Sequence, residues 1–142
     1  MVVVPYYLKD DEQKIIYLPL PQKAKRNDMV LLIREYYAAK IHEEWAEPPI
    51  MSPINIEVQI RIPVPKGGYT KNDIQKMRDQ IIKPSSFDLN YYFEMLVYAM
   101  DGIVYYGREQ IKNSYVDYSY WDDPGITCVI KKAIQHSLPE VK

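Results

Sequence analysis

Apolar and polar residues recur with two different periods along this chain, and these periods predict both strands and helices. Residues 54–62 alternate strictly between Ile or Val and a polar side chain, as in a strand with one buried face. Residues 28–47 place apolar side chains at helical spacing until Pro48 and Pro49 end the pattern, and Asn27 or Asp28 can cap this helix. Its apolar face consists of Val30, Ile33, Tyr37, Ile41 and Trp45.

Three further patterns flank these two elements. Residues 15–20 are mostly apolar, and Pro19 and Pro21 cannot donate ladder hydrogen bonds, so this segment predicts an edge or terminal strand. Residues 69–81 predict a short amphipathic helix. Its apolar side consists of Ile74, Met77 and Ile81. Residues 87–100 are apolar on nearly every side, which predicts a helix buried in the core or in a dimer interface.

The last third of the chain predicts further strands. Residues 103–105 form a short apolar run between a turn at Asp101-Gly102 and a second turn at Gly107. Residues 113–121 alternate, and residues 126–133 follow them after an Asp-Asp-Pro-Gly turn, so these two segments predict a hairpin. The longer elements follow the order β-α-β-α-α-β-β, which predicts an α+β domain with a mixed sheet.

Composition limits the class of protein. A chain of 142 residues with 47% hydrophobic residues can bury a core as one domain, residues 1–142. A net charge of -1 excludes a protein that binds nucleic acid through bulk positive charge. The sequence has no pattern of a signal peptide or membrane span, so we expect a cytoplasmic protein with no membrane partner. The single cysteine, Cys128, excludes a disulfide framework and is expected to be a buried thiol.

Charge and aromatic residues are unevenly used. Residues 51–83 carry six basic and three acidic side chains, which form either a solvated helix face or a rim that contacts phosphates beside an acidic pocket. Tyrosine occurs 14 times, and it either packs in a core and its rim or stacks on nucleobases.

An ordered set of motifs gives a family resemblance. The chain reads IEVQIRIPVPKGG, a short helix, KPSSFDLNYYFEMLVYAMDGIVYYGREQI and two alternating strands. In this order and spacing, residues 54–132 resemble the RusA-type Holliday junction resolvase family. Members typically read K-P-D-x-D-N, a buried helix, a D/N-G turn, V-Y and D-D-x-Q-I. Residues 101–111 keep the D-G turn, the V-Y pair and the Q-I pair.

The resemblance implies a RusA-like α+β fold, a homodimer, and Mg²⁺-dependent endonuclease cleavage of DNA four-way junctions in recombination and repair. Mg²⁺ takes hard oxygen ligands, so clustered carboxylates hold it against a phosphodiester. In the family, these carboxylates come from the loop before the buried helix and from the turn after the V-Y strand. A lysine on the helix assists them.

In this chain most of those carboxylates are replaced. Counted from Asp101-Gly102, Asp88 falls on the first aspartate of the loop signature and Asn90 on the second. Tyr91 falls on the asparagine of the signature, and Glu94 falls on the lysine. One acid of the loop signature is therefore kept.

The turn after the V-Y pair has lost both of its aspartates. Gly107 and Arg108 fall on them, and Glu109 falls on the variable position. A guanidinium within about 4 Å of Mg²⁺ would be repelled by about 2 kcal/mol per unit of metal charge at an effective dielectric of about 40. We therefore expect Arg108 to pair with Asp88 or to bind a phosphate directly, while Glu94 and Glu109 are the carboxylates that could restore a metal site.

Three functions follow from these replacements: a divergent metal-dependent endonuclease, a protein that binds branched DNA without cutting it, and a protein-interaction module. The candidate catalytic residues are Asp88, Asn90, Glu94 and Glu109, of which Asp88 and Glu109 are the candidate Mg²⁺ ligands. The candidate DNA-binding residues are Lys66, Lys71, Lys76, Arg78, Lys83 and Arg108.

Overall fold

The computed structural model of the chain describes residues 5–20, 27–84 and 89–134, and of residues 27–33 and Leu89 the backbone alone. Its elements are β1 (Gln13–Leu18), α1 (Asn27–Glu44), β2 (Ile54–Pro63), α2 (Lys71–Arg78), α3 (Leu89–Met100), a 3-10 turn (Arg108–Gln110), β3 (Ile111–Trp121) and β4 (Gly125–Lys132). The predicted α+β class and the predicted order of the longer elements are confirmed.

The four strands form one mixed sheet in the order β1-β4-β2-β3. β4 pairs antiparallel with both β1 and β2, whereas β2 and β3 are parallel and are connected through α2 and α3. This parallel pair needs the long crossover that the two helices provide. The prediction that Pro19 marks a strand at a sheet edge is confirmed, although β1 begins and ends two residues earlier than predicted.

The predicted hairpin between the last two strands is wrong. Although only three residues separate β3 from β4, β2 lies between them and pairs with both. Trp121 is opposite Pro63 on one side of β2, and Gly125 is opposite Arg61 on the other. The turn therefore passes over the end of β2, which is one of the two inner strands and takes a neighbour on each side.

The hydrophobic core lies between one face of the sheet and the helices α1 and α3. The predicted alternation of β2 is confirmed, because Ile54, Ile56, Val58 and Ile60 are all buried. On α1, Tyr37 and Ile41 are buried as predicted, and Trp45 is half-buried just beyond the helix end. The side chains of Val30 and Ile33 lie outside the described residues.

The apolar helix α3 packs into this same core. Its buried side chains are Tyr92, Met95, Leu96, Val97, Ala99 and Met100. Its exposed side chains form one stripe at four-residue spacing, Asn90, Glu94 and Tyr98. Burial within one chain accounts for the apolar character of α3, so this helix gives no support to a dimer interface, and the homodimer stays a prediction from the resemblance.

Residues 101–110 do not contain the strand predicted at 103–105. Tyr105 makes only isolated bridges, one of them to Ile50, because the run is too short to build a ladder. The fully buried Tyr105 hydroxyl donates a 2.6 Å hydrogen bond to the carbonyl of Val97, one of the last four carbonyls of α3. Gly102 adopts a φ of +80°, the left-handed conformation that commonly ends a helix. This segment is therefore a helix cap and not a strand.

The helix predicted at 69–81 ends at Arg78, and the expectation that Ile81 lies on its apolar side is wrong. Ile81 is 68% exposed, because Gln80 adopts a φ of +65° and the chain turns away from the helix. Residues 78–83 then run along the outer edge of β3. Gln80 Nε2 donates a 2.7 Å bond to the carbonyl of Tyr120, which covers part of that edge.

Cys128 lies fully buried in β4, as predicted, and burial raises the pKa of its thiol to about 12. Across the described parts of the chain, no helix combines the length and the apolar character needed to cross a bilayer.

Candidate functional site

A bidentate ion pair joins the turn before β3 to the exposed stripe of α3. Arg108 Nη1 and Nη2 donate to the two carboxylate oxygens of Glu94 at 2.5 and 2.6 Å. This fork-to-fork arrangement is the strongest geometry available to an arginine and a carboxylate. It lies at the turn where the resemblance places two metal-binding aspartates. The described partner of Arg108 is thus Glu94, while Asp88, the partner expected from the sequence, lies outside the described residues.

A second guanidinium lies beside this pair. Arg34 of α1 places its Cζ atom 4.7 Å from the centre of the exposed Tyr98 ring, which is a cation–π contact. A cavity of about 130 Å³ opens between the two arginines. Its lining residues are Arg34, Glu94, Val97, Tyr98, Asp101 and Arg108. We call this space the arginine cavity.

The charges of the arginine cavity affect the titration of Glu94. The hydrogen bonds from Arg108 hold the pKa of the Glu94 carboxyl below its ordinary value of 4.5, and the positive charges of Arg108 and Arg34 act in the same direction. The same pair raises the pKa of Arg108. Both groups are therefore ionised at neutral pH, and the described lining of the cavity includes two basic and two acidic side chains.

This pairing predicts a direct titration result. The ¹³C carboxyl resonance of Glu94 should titrate below the range of an exposed glutamate, and Arg108→Met should return it to that range. Because the folded-state pKa is lowered, the small stabilisation by the pair is present at neutral pH and is lost as the pH falls through that pKa. Arg78→Met is the matched control, because Arg78 is also exposed and ion-paired, with Asp122, and its loss should leave the Glu94 resonance unchanged. An unshifted Glu94 in the unmodified protein would contradict the pair.

Gln110 fixes the turn that carries Arg108. Its Oε1 accepts from the backbone N–H groups of Tyr106 and Gly107 at 2.7 and 2.9 Å. Its Nε2 donates to the carbonyls of Ile50 and Ser52 at 2.7 and 3.1 Å. One side chain thus satisfies four backbone groups and ties the turn to the segment before β2, which gives a structural reason for the Q-I pair in the motif.

The candidate metal ligands do not come together among the described residues. Asp88 lies outside them, and Asn90 is exposed on α3. Glu109 is also exposed, and its carboxylate folds back over Gly107, where any added Cβ would overlap it. Within the described part of the chain, no three Asp, Glu, His or Cys side chains are placed to share a metal ion. The described donors therefore do not fit Mg²⁺, and the predicted metal site depends on Asp88.

The six candidate DNA-binding residues divide into two groups. Three are ion-paired with acidic side chains: Arg78 with Asp122, Lys83 with Asp117, and Arg108 with Glu94. The other three, Lys66, Lys71 and Lys76, are exposed, and no described carboxylate lies within ion-pair distance of them. They are the residues of this set whose positive charge is available to solvent.

The cleft beside α2 and the arginine cavity lie at opposite ends of β3. Lys66, Ile74 and Arg78 line a cleft with Asp122, just beyond the last residue of β3, whereas Arg108 precedes its first residue. β3 has 11 residues, and at about 3.3 Å per residue it spans about 33 Å. A single phosphate therefore cannot contact both groups.

Sequence reasoning missed the three other polar residues of the arginine cavity, Arg34, Tyr98 and Asp101, as well as the apolar Val97. The polar stripe of α3 was a usable signal, because Asn90, Glu94, Tyr98 and Asp101 follow one another at spacings of four, four and three residues. The sequence held no comparable signal for Arg34, which enters the cavity only through the packing of α1 against α3.

Comparison with models of known protein families and with curated proteins finds no match for this chain.

Proposed function

We propose that this chain is a RusA-like protein that binds branched DNA in recombination or repair and holds DNA phosphates through arginine in place of a metal ion. The observation that carries this proposal is the Arg108–Glu94 pair at the turn where the resemblance expects two aspartates. A guanidinium fork matches a phosphate as well as it matches a carboxylate. Binding by a homodimer, as the resemblance implies, belongs to the same proposal.

Two further features support DNA binding. Lys66 lines the cleft at the other end of β3, and α2, which carries Lys71 and Lys76, adds Ile74 and Arg78 to the same cleft, so a second part of a DNA arm can reach this positive charge. Arg34 adds a second guanidinium next to Arg108, with its orientation set by Tyr98. Phosphate contacts of this kind position a protein on DNA without reading base sequence, as expected for recognition of DNA shape.

The proposal predicts binding without cleavage. The protein should bind a synthetic four-way junction more tightly than a linear duplex of equal length, in EDTA and at low salt, and the affinity should fall as salt rises. Neither Mg²⁺ nor Mn²⁺ should produce nicks. Arg108→Met should weaken junction binding about tenfold, since it removes a charge-assisted contact. Gel-shift and nicking assays on the same labelled junction measure both properties.

Two results would reject the proposal, and each would favour a different alternative function. Metal-dependent nicking that Asp88→Ala abolishes would show a working endonuclease and restore Asp88 as its essential acid. Absence of any binding at low salt would favour the protein-interaction module.

One observation favours the protein-interaction module specifically. The face of the sheet opposite the helices has no described covering element, and it exposes Ile15, Tyr17 and Tyr115. Exposed apolar side chains on an open sheet face are typical of a surface that contacts another protein.

A further inference from the structure

We propose that the arginine cavity binds a phosphate monoester at the end of a DNA strand. This inference rests on the proposed DNA-binding function and names the DNA feature that the cavity would recognise. The ligand class is a terminal phosphate, on either the 5′ or the 3′ end, as distinct from the phosphodiesters within a strand. Three observations carry it: an unpaired donor, a carboxylate that occupies the phosphate position, and the shape of the cavity.

The unpaired donor belongs to Arg34. Its Nε atom is buried and has no hydrogen-bond acceptor among the described residues. A buried N–H group without an acceptor is unusual in a folded protein and costs free energy. The stacking of the guanidinium on Tyr98 holds Arg34 at the wall of the cavity. An oxyanion in the cavity would meet two guanidinium groups, one from each of two elements.

Glu94 makes the cavity selective for the more highly charged ligand. In the free protein its carboxylate occupies the fork of Arg108 and carries one negative charge. A phosphodiester also carries one negative charge, so its exchange for Glu94 replaces one monoanion by another. A terminal phosphate carries a charge of about -1.5 to -2 at pH 7, so the same exchange gains attraction to both arginines. Arg108 therefore contacts the internal phosphates of a DNA arm more weakly than a terminal phosphate, because only the terminal phosphate gains attraction when it replaces Glu94.

The exchange requires Glu94 to move, and its position allows this. The Glu94 side chain is 48% exposed, so it can rotate into water without unpacking the core. Of the described residues that line the cavity, Asp101 then remains as the single carboxylate beside two guanidinium groups. The summed charge of the described side chains that line the cavity becomes positive only when Glu94 leaves, and a positive cavity attracts a dianion more strongly than a monoanion.

The shape of the cavity leads to the same ligand. A space of about 130 Å³ is concave and small. A terminal phosphate has one sugar attached and can enter with three free oxygens, whereas a phosphodiester has a sugar on each side that must stay outside. Concave sites with a few fixed polar groups are the usual form of small-ligand pockets.

The test compares DNA ends that differ in the presence, the position and the charge of a terminal phosphate. Short duplexes with one single-stranded arm would carry a 5′-hydroxyl, a 5′-phosphate, a 3′-phosphate, or a 5′-phosphate capped with a methyl group. The methyl cap keeps the phosphorus atom and reduces it to a monoanion. Binding to the full-length protein is measured by fluorescence anisotropy at pH 7.5. We expect one of the two uncapped phosphates to bind about tenfold more tightly than the hydroxyl and capped ends.

Variants identify the cavity as the origin of this preference. Glu94→Gln should tighten binding of the hydroxyl and capped ends and so reduce the preference to about twofold or less. Glu57→Gln is the matched control, since Glu57 is 50% exposed and ion-paired with Lys131, and it should leave the preference unchanged. Arg108→Met should abolish the preference. Circular dichroism and urea unfolding establish that each variant is folded.

The outcomes separate this inference from the proposed function. Equal binding of all four ends by the unmodified protein overturns the terminal-phosphate site while DNA binding stands. A preference that survives Arg108→Met places the phosphate elsewhere and also overturns it. No binding of any end at low salt overturns the DNA-binding function and the inference together.

Discussion

Gln110→Met should lower the free energy of unfolding by about 2–3 kcal/mol, because four backbone groups lose their hydrogen-bond partner at once. Each lost hydrogen bond costs about 0.5–1.5 kcal/mol, and a group left unsatisfied in the interior costs more. The carbonyls of Ile50 and Ser52 and the N–H groups of Tyr106 and Gly107 all depend on this one side chain. Methionine keeps the length of glutamine and removes only its polar atoms. Since Gln110 is half-buried, water recovers part of the loss.

Urea unfolding followed by circular dichroism measures this effect. Gln75→Met is the matched control, because Gln75 is exposed on α2 and its one side-chain hydrogen bond among the described residues is to Asp79. That change should stay within about 0.5 kcal/mol of the unmodified protein. A loss below about 1 kcal/mol for Gln110→Met would mean that the turn holds its shape through its own backbone. The Q-I pair of the motif would then need an explanation other than structure.

Local pattern predicted the elements of this fold well. The alternation of β2 located the central strand and its buried face, because a period of two in a half-buried strand has only one structural solution. The apolar positions of α1 likewise identified Tyr37 and Ile41 as core residues. These predictions succeeded because each depends on residues that are close in sequence.

The wrong predictions, in contrast, concern contacts between residues that are far apart in sequence. β4 pairs with β2, about 70 residues earlier in the chain, instead of with the adjacent β3, and no short segment encodes that choice. The apolar run at residues 103–105 predicted a strand. Tyr105 is instead buried against the end of α3, where its hydroxyl bonds to the Val97 carbonyl. Ile81 left the predicted helix face because Gln80 bonds to Tyr120, 40 positions later in the chain.

The candidate site was predictable only in part. Glu94 and Arg108 were both named from the sequence, but their pairing was not, because the two residues are 14 positions apart and come together only when the turn folds back on α3. Arg34 is still farther away in sequence, on α1. Sites formed by helix packing thus require the tertiary structure, whereas sites within a single motif do not.

Simultaneous replacement of Lys66, Lys71 and Lys76 by glutamine should weaken junction binding roughly 10- to 100-fold at 0.1 M salt, because three phosphate contacts are lost. The slope of log affinity against log salt should fall by about 2.7, or about 0.9 for each contact. Replacing Lys9, Lys131 and Lys132 is the control for charge. It removes the same charge from β4 and from the segment before β1, and it should change the slope by less than about 1.

The distance between the two basic regions makes this prediction sharper. They are separated by the length of β3, about 33 Å, and duplex DNA advances about 3.4 Å per base pair. A junction arm must therefore be about ten base pairs long to contact the α2 lysines and Arg108 together. Arms of about six base pairs should bind the lysine variant and the unmodified protein equally, and arms of about fourteen should separate them. If the lysine variant loses affinity equally for both arm lengths, the two regions do not lie along one DNA arm.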